Sequence, residues 1–208
     1  MVDIALPGAK VGYLSGWLTA FSADGALNAL LTEVPFSQHR VRMFGRELPA
    51  PRLSAWIGDP GAAYRYSRVR HEPLPWTPTL QALRERLQED LGCAFNSVLV
   101  NRYRSGADSM GWHADDEAEL GAEPVIASVS LGATRSMRFR SRTLDPIRLS
   151  LPLEHGSLLL MAGQTQALYQ HAVDKTRAPV AERINLTFRL IRPVSGDRPQ
   201  DAAQAVVA

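Results

Sequence analysis

A single cysteine, Cys93, among 208 residues leaves no partner for a disulfide within the chain. That points to a reducing compartment or to indifference to redox state. Lysine is nearly missing too: Lys10 and Lys175 are the only two, so positive charge rests on arginine. Long apolar runs are also lacking. VGYLSGWLTAF (11–21) is apolar, but glycines interrupt it and no small-residue cleavage site follows. It falls short of the roughly 20 residues needed to cross a bilayer. The expectation is a cytoplasmic protein without a targeting segment. No internal repeat is visible, and the length suits one structural domain.

The net charge of +2 says little, but its distribution says more. Between His39 and Arg70 stand seven arginines (40, 42, 46, 52, 65, 68 and 70) against two acids, Glu47 and Asp59, interleaved with Phe44, Trp56, Tyr64 and Tyr66. A second basic set, Arg135, Arg138, Arg140, Arg142 and Arg148, flanks a later segment. Cations mixed with aromatic rings suit a polyanion with stackable bases, which is nucleic acid. The competing reading is a surface decorated by an arginine-rich composition.

Residues 22–34 carry an apolar stripe (Ala26, Leu27, Leu30, Leu31, Val34) at helical spacing, with Ser22 or Asp24 as cap. PTLQALRERLQEDLG (78–92) predicts a second helix, with proline near its start and glycine past its end. YRYSRV (64–69) predicts a short strand. After Gly92, strands are predicted in 95–103, 124–133, 136–142, 147–153, 156–163 and 183–191, short segments rich in β-formers and separated by turn residues. Two early helices followed by many strands predict a mostly β fold (α+β), a sandwich or barrel with helices packed outside. The tail 193–208 is expected to be disordered.

Two constellations carry chemistry. In RINLTFR, Arg183, Asn185, Thr187 and Arg189 share one face of a strand, and Ile184, Leu186 and Phe188 share the other. If the polar face is wet, it needs no explanation. If it is covered, two guanidinium groups need anionic partners, and a small dicarboxylate lying along the strand would serve. In GWHADDEAEL, His113 and Asp115 are two apart, so on an extended segment they converge on one ion. A third ligand must come from His39, His71, His155 or His171. Two histidines and a carboxylate with open positions suit non-haem Fe(II), although zinc accepts the same set.

NRYRSGADSMGWHADDE, PVIASVSLGATRSMRFR, HGSLLLMAG, QHAV and RINLTFR, in this order, resemble the AlkB family of iron- and 2-oxoglutarate-dependent nucleic-acid dealkylases. The similarity runs from about Val41 to Arg192 and takes in FGRELPAPRLSAWIGD and YRYS. It implies a double-stranded β-helix (jelly-roll) core over 93–192 and, over 1–92, N-terminal helices with a nucleotide-recognition lid. His113, Asp115 and His171 match the Fe(II) ligands. Asn101, Tyr103, Arg183, Asn185 and Arg189 match the surroundings of the cosubstrate 2-oxoglutarate, with Arg189 expected at its distal carboxylate. Tyr66 matches an aromatic stacked on the target base, opposite the His113 ring, and Tyr64 and Glu117 match groups that meet its exocyclic amine. Met43, Phe44 and Gly45 match a wedge that fills the gap left by a flipped base, and Arg52 a backbone contact.

The activity implied is O2-dependent demethylation of 1-methyladenine or 3-methylcytosine in DNA, or in RNA, by a monomer, with release of formaldehyde and succinate. Asp116 and Glu119 are expected at the surface, and Trp112 in packing beside the site. The rivals are a 2-oxoglutarate-dependent hydroxylase of a protein or small molecule, a non-catalytic nucleic-acid-binding barrel and, more distantly, a zinc hydrolase.

Overall fold

The structure, a computed structural model, describes residues 1–43, 46–62, 64–66, 69–143 and 147–192, with backbone pairing only at 41–43, 46, 64–66 and 69–71. Phe44, Gly45 and the tail 193–208 therefore lie outside the described residues. The first half of the chain forms β1 (Val2–Asp3), β2 (Lys10–Leu14), α1 (Ala20–Glu33), β3 (Arg40–Met43), β4 (Arg46–Pro49), β5 (Leu53–Gly58), β6 (Tyr64–Tyr66), β7 (Val69–His71) and α2 (Pro78–Leu91). It continues as β8 (Ser97–Tyr103), β9 (Met110–His113), β10 (Ile126–Gly132), β11 (Arg135–Ser141), β12 (Arg148–Leu153) and β13 (Ser157–Ala162). A four-residue helix α3 (Thr165–Leu168) then leads into β14 (Tyr169–Val173), and β15 (Arg183–Arg189) closes the fold.

These strands make two main antiparallel sheets. The larger has the order β1-β2-β13-β10-β15-β8-β5, the smaller β12-β11-β14-β9. The larger sheet draws β1, β2 and β5 from before residue 93, so the core sheet is not confined to the second half of the chain.

The helices start where their chemistry allows. Thr19, rather than Ser22 or Asp24, caps α1: its Oγ1 accepts from Ser22 N at 3.2 Å. Thr77 caps α2 with Pro78 just inside, and Gly92 ends it at φ 64, a left-handed turn that favours glycine. Leu30, Leu80 and Leu87 are fully buried against Ile184, Leu186 and Phe188 of β15, so both helices cover the outer face of the larger sheet. A second apolar cluster, including Ile126, Met161, Met137, Phe139 and Leu153, joins the two sheets. The polar row of β15 thus faces the space between the sheets, and its wet-face reading is excluded: Arg183, Asn185, Thr187 and Arg189 are all buried.

Gly132, at the end of β10, shows how tightly the sheet closes. Its φ is 86, and a Cβ there would lie 2.3 Å from Glu182 O, so no larger residue fits without moving the backbone.

Between β8 and β9, Asp108 is buried and its carboxylate accepts from Arg104 N, Nε and Nη2 at 3.0, 2.8 and 2.9 Å. The Arg104 bond holds the Asp108 carboxyl below the usual carboxylate range, against the opposing effect of burial. A depressed folded-state pKa gives stability that is fully present above the unfolded value, about 3.9, and lost as pH falls through the folded value. Asp108→Asn is therefore expected to lower stability by a constant amount at neutral pH. The gap to the unsubstituted protein should shrink below about pH 4. Denaturant midpoints measured from pH 3 to 7 check this, and a gap independent of pH would contradict it.

Candidate metal centre

β9 and β14 are neighbours in the smaller sheet, and their register places His113 directly across from His171. The two ring centroids are 4.2 Å apart. Asp115 follows two residues after His113, where regular pairing has ended, and its carboxylate turns into the same space. One ligand atom from each of His113, Asp115 and His171 lies within 4.8 Å of the others. Among the described residues no other trio of metal-ligating side chains comes together. The third-ligand question has a structural answer: His155 Nδ1 instead accepts from Gly132 N at 2.8 Å, and its Nε2 lies 3.3 Å from Asp24 Oδ1.

The protonation states suit a cation. His113 Nδ1 is 2.8 Å from Gly111 O. A carbonyl can only accept, so the ring donates there and its Nε2 points unprotonated toward Asp115. Burial depresses the His171 pKa to about 3, helped by His113, and burial likewise lowers that of His113. Both rings are therefore neutral near pH 7 and have lone pairs to offer. Burial works against ionisation of Asp115, but the Arg189 guanidinium and the two imidazoles outweigh it and hold the carboxyl at about 2. Arg189 Nη2 lies 2.8 Å from Asp115 Oδ2.

The cavity beside this trio is walled by Asn101 and Tyr103 from β8, Asn185, Thr187 and Arg189 from β15, and apolar side chains such as Met161. Arg183 stands at the other end of β15, 1% exposed, with its guanidinium 5.1 Å from the Tyr103 ring. Its Nη2 donates to Ser130 Oγ at 3.0 Å, while its Nε and Nη1 are buried without a hydrogen-bond partner. Burial presses its pKa down, with Tyr103 opposing. A buried cation left this way calls for an anion. Arg52 Nε donates to Asn101 Oδ1 at 2.9 Å, so this guanidinium, expected at a nucleic-acid backbone, also braces the cavity wall.

The crowded carboxylates after Trp112 divide by role. Asp115 belongs to the trio. Asp116 is exposed and pairs with Arg142 Nη1 at 2.6 Å. Glu117 is half-buried, with Oε2 unpartnered; burial raises its pKa, opposed by Arg189 and reinforced by Asp115, so it stands near both. The half-buried Glu119 accepts at its backbone carbonyl from Arg192 N. Trp112 is half-buried with the guanidiniums of Arg138 and Arg140 over its ring, at 5.0 and 4.4 Å. Met43 ends β3 and pairs with Arg46, while Tyr64 and Tyr66 pair with His71 and Val69 in a small hairpin. Ser128, Met110 and Met161 also line the cavity, and nothing in the sequence distinguishes them from core residues.

Known proteins are similar to this chain in sequence and in fold. The sequence pattern of the 2OG-Fe(II) oxygenase superfamily matches residues 10–189. The alpha-ketoglutarate-dependent dioxygenase alkB homolog 3 of Rattus norvegicus is 42% identical over 206 residues, covering 93% of this chain and 68% of the relative. The DNA oxidative demethylase ALKBH2 of Homo sapiens is 43% identical over 179 residues, covering 81% and 69%. Among solved structures, OsALKBH1 superposes with a TM-score of 0.59 at 20% identity, covering 90% of this chain and all of that one. A Pseudomonas putida prolyl-4-hydroxylase gives 0.57 at 13% identity, covering 88% and 93%. At such identities these two speak for the fold alone.

Proposed function

We propose, because this chain belongs to the 2OG-Fe(II) oxygenase superfamily and within it to the AlkB family, that it is an Fe(II)- and 2-oxoglutarate-dependent oxidative demethylase of alkylated bases in DNA. The observation that carries the reading is the trio His113, Asp115 and His171 with Arg189 against it and Arg183 buried at the far end of the same strand. The donor set fits Fe(II), with two neutral imidazoles and one carboxylate leaving positions open. The unpartnered Nε and Nη1 of Arg183 fit the far carboxylate of a dicarboxylic cosubstrate. When bound, iron and 2-oxoglutarate supply the oxidation of an N-methyl group by O2, with succinate and formaldehyde released.

The chain's own residues hold and orient. His113, Asp115 and His171 fix the metal position. Arg189, already against Asp115, stands at the metal end and serves the near carboxylate, and Arg183 serves the distal one. This reverses the expectation that Arg189 takes the distal carboxylate; the physical reason is that β15 runs away from the metal toward its own first residue. Asn101, Tyr103 and Asn185 line the path between. Apolar wall residues such as Leu99, Met137 and Val173 exclude water from the reacting centre.

An enzyme acting on a base must take it out of the stack. Tyr66 and the His113 ring are assigned to the two faces of that base, Tyr64 and Glu117 to its exocyclic amine, and Met43, Phe44 and Gly45 to the gap it leaves. Arg52 is assigned to the strand's backbone as well as to Asn101. A base methylated at adenine N1 or cytosine N3 is a cation, and Glu117 is a carboxylate whose charge burial disfavours until a cation arrives. Glu117→Gln is expected to lower kcat/KM on 1-methyladenine by about 10- to 100-fold, as a charge-assisted contact worth about 1.5–3 kcal/mol is lost. A neutral etheno adduct should be affected far less. Equal losses on both would show that Glu117 does not act through charge.

We further propose action as a monomer, on single- or double-stranded substrate, with RNA as a second polymer. The deciding test reconstitutes the protein anaerobically with Fe(II) and 2-oxoglutarate, then admits O2 with methylated single-stranded DNA, duplex DNA, RNA or peptide. Mass spectrometry should show the loss of one methylene, about 14 mass units, from a nucleic acid, with formaldehyde and succinate formed. Oxidation of the peptide alone would favour a protein hydroxylase. Unchanged masses across all four would overturn the reading.

A further inference from the structure

Asp115 carries the ligand carboxylate from a stretch, residues 114–117, that belongs to no helix or strand. Its backbone N–H therefore has no ladder partner. It donates instead to Gln166 Oε1 at 3.0 Å, across 51 residues of sequence. Gln166 is 2% exposed and sits in α3, the short helix that feeds β14 and thus His171 five residues on. Its Nε2 rests on Met161 Sδ at 3.5 Å, and Met161 lines the cavity. The same residue is held from outside: Arg142 Nη1 donates to Gln166 O at 3.1 Å and also to Asp116 Oδ2 at 2.6 Å.

We infer that Gln166, locked by Arg142, is the positioning residue of the metal centre, clasping the Asp115 segment to the His171 strand so that ligands from two separate parts of the chain stay in register. Neither residue touches the metal position. A buried amide that accepts from the ligand's own backbone fixes the direction of the carboxylate, and Arg142 fixes the next peptide through Asp116. This explains why Asp116, one residue from a ligand, is paired with an arginine rather than left to repel Asp115. Outer-shell partners of this kind typically change metal affinity by about 10- to 100-fold when removed.

The inference rests on the reading of His113, Asp115 and His171 as metal ligands, and its test separates the two. The full chain is titrated with Mn(II) in the presence of 2-oxoglutarate without O2, and free Mn(II) is followed by electron paramagnetic resonance. Gln166→Met keeps the volume and removes the acceptor; its Kd for Mn(II) is expected to rise by about 10- to 100-fold. Gln166→Glu keeps an acceptor oxygen for the Asp115 N–H and is expected to lose less than Gln166→Met. Arg142→Gln, a change at the surface, should raise Kd by about 3- to 10-fold with the melting temperature nearly unchanged. Equal Kd values for Gln166→Met and the unsubstituted protein, or equal losses in Gln166→Met and Gln166→Glu, would overturn the inference. If Gln166→Met does not fold, an unchanged Kd in Arg142→Gln overturns it alone. Failure of the underlying reading looks different: the unsubstituted protein would bind no Mn(II).

Discussion

Asp115→Ala is expected to abolish metal binding and turnover together, with kcat/KM falling by on the order of a thousandfold or more. It should also cost stability. Asp115 and Arg189 are both nearly inaccessible, and their contact of 2.8 Å is a buried ion pair. Removing one partner of a buried pair takes the close counter-ion from the other, a change that typically costs about 3–5 kcal/mol. At about 2–4 °C per kcal/mol for a chain of this size, the melting temperature should drop by roughly 6–20 °C. Asp115→Asn separates the two effects. The amide still offers Arg189 an oxygen and should recover part of the stability, yet a neutral ligand should leave turnover near the alanine level. Calorimetry and formaldehyde release on the same preparations check both halves. Metal-dependent turnover in either variant would contradict the assignment of Asp115.

Arg183→Met is expected to act in opposite directions on the cosubstrate-free and cosubstrate-loaded protein. Arg183 is buried, with two guanidinium nitrogens unpartnered and a pKa pushed down by its surroundings. Replacing a poorly compensated buried charge by an apolar side chain is commonly neutral or stabilising by about 1–4 kcal/mol. The melting temperature without 2-oxoglutarate should therefore hold or rise. Affinity for 2-oxoglutarate should fall, because truncating one side of a buried charge pair costs about 2–5 kcal/mol, or roughly 30- to 4,000-fold. Thermal shift with and without the keto acid reads both. A large destabilisation of the free protein with unchanged affinity would show that Arg183 is a structural residue and not the distal anchor.

The sequence makes some elements plain and hides others for identifiable reasons. Strands rich in β-formers with turn residues at both ends, such as 183–189 and 148–153, stand close to where periodicity puts them. β14 escapes a reading by periodicity because YQHAV is five residues long, mixed in character and entered directly from α3. β2 lies inside an apolar run that also holds a turn, so its strand character blends into the residues after Leu14. β5 is hidden by a neighbourhood rich in proline and arginine, yet it pairs along its whole length with β8. In each case, pairing with a distant strand decides the outcome, and the local sequence carries no trace of the partner.

The same division runs through the site. His113 and Asp115 can be paired from their spacing alone, because an extended chain points alternate residues one way. His171 can be chosen among four histidines only through resemblance. The structure supplies the physical reason: β14 is hydrogen-bonded beside β9, in register at these two residues. Arg183 and Arg189 can be seen to share a face, but which end of β15 approaches the metal depends on how the sheets stack. Gln166 has no signal at all, since nothing in a glutamine 51 residues away marks it as the acceptor for one peptide N–H.

The hairpins β3–β4 and β6–β7 each stand as a separate two-stranded ribbon, outside both large sheets. Ribbons of that size have little intrinsic stability and lean on their surroundings. Among the described residues neither ribbon shares ladder register with the strands that carry His113, His171 or Arg189, so the residues proposed above to meet the substrate polymer can change without breaking that register. Exchanging these ribbons between relatives should transplant preference while leaving catalytic competence with the recipient.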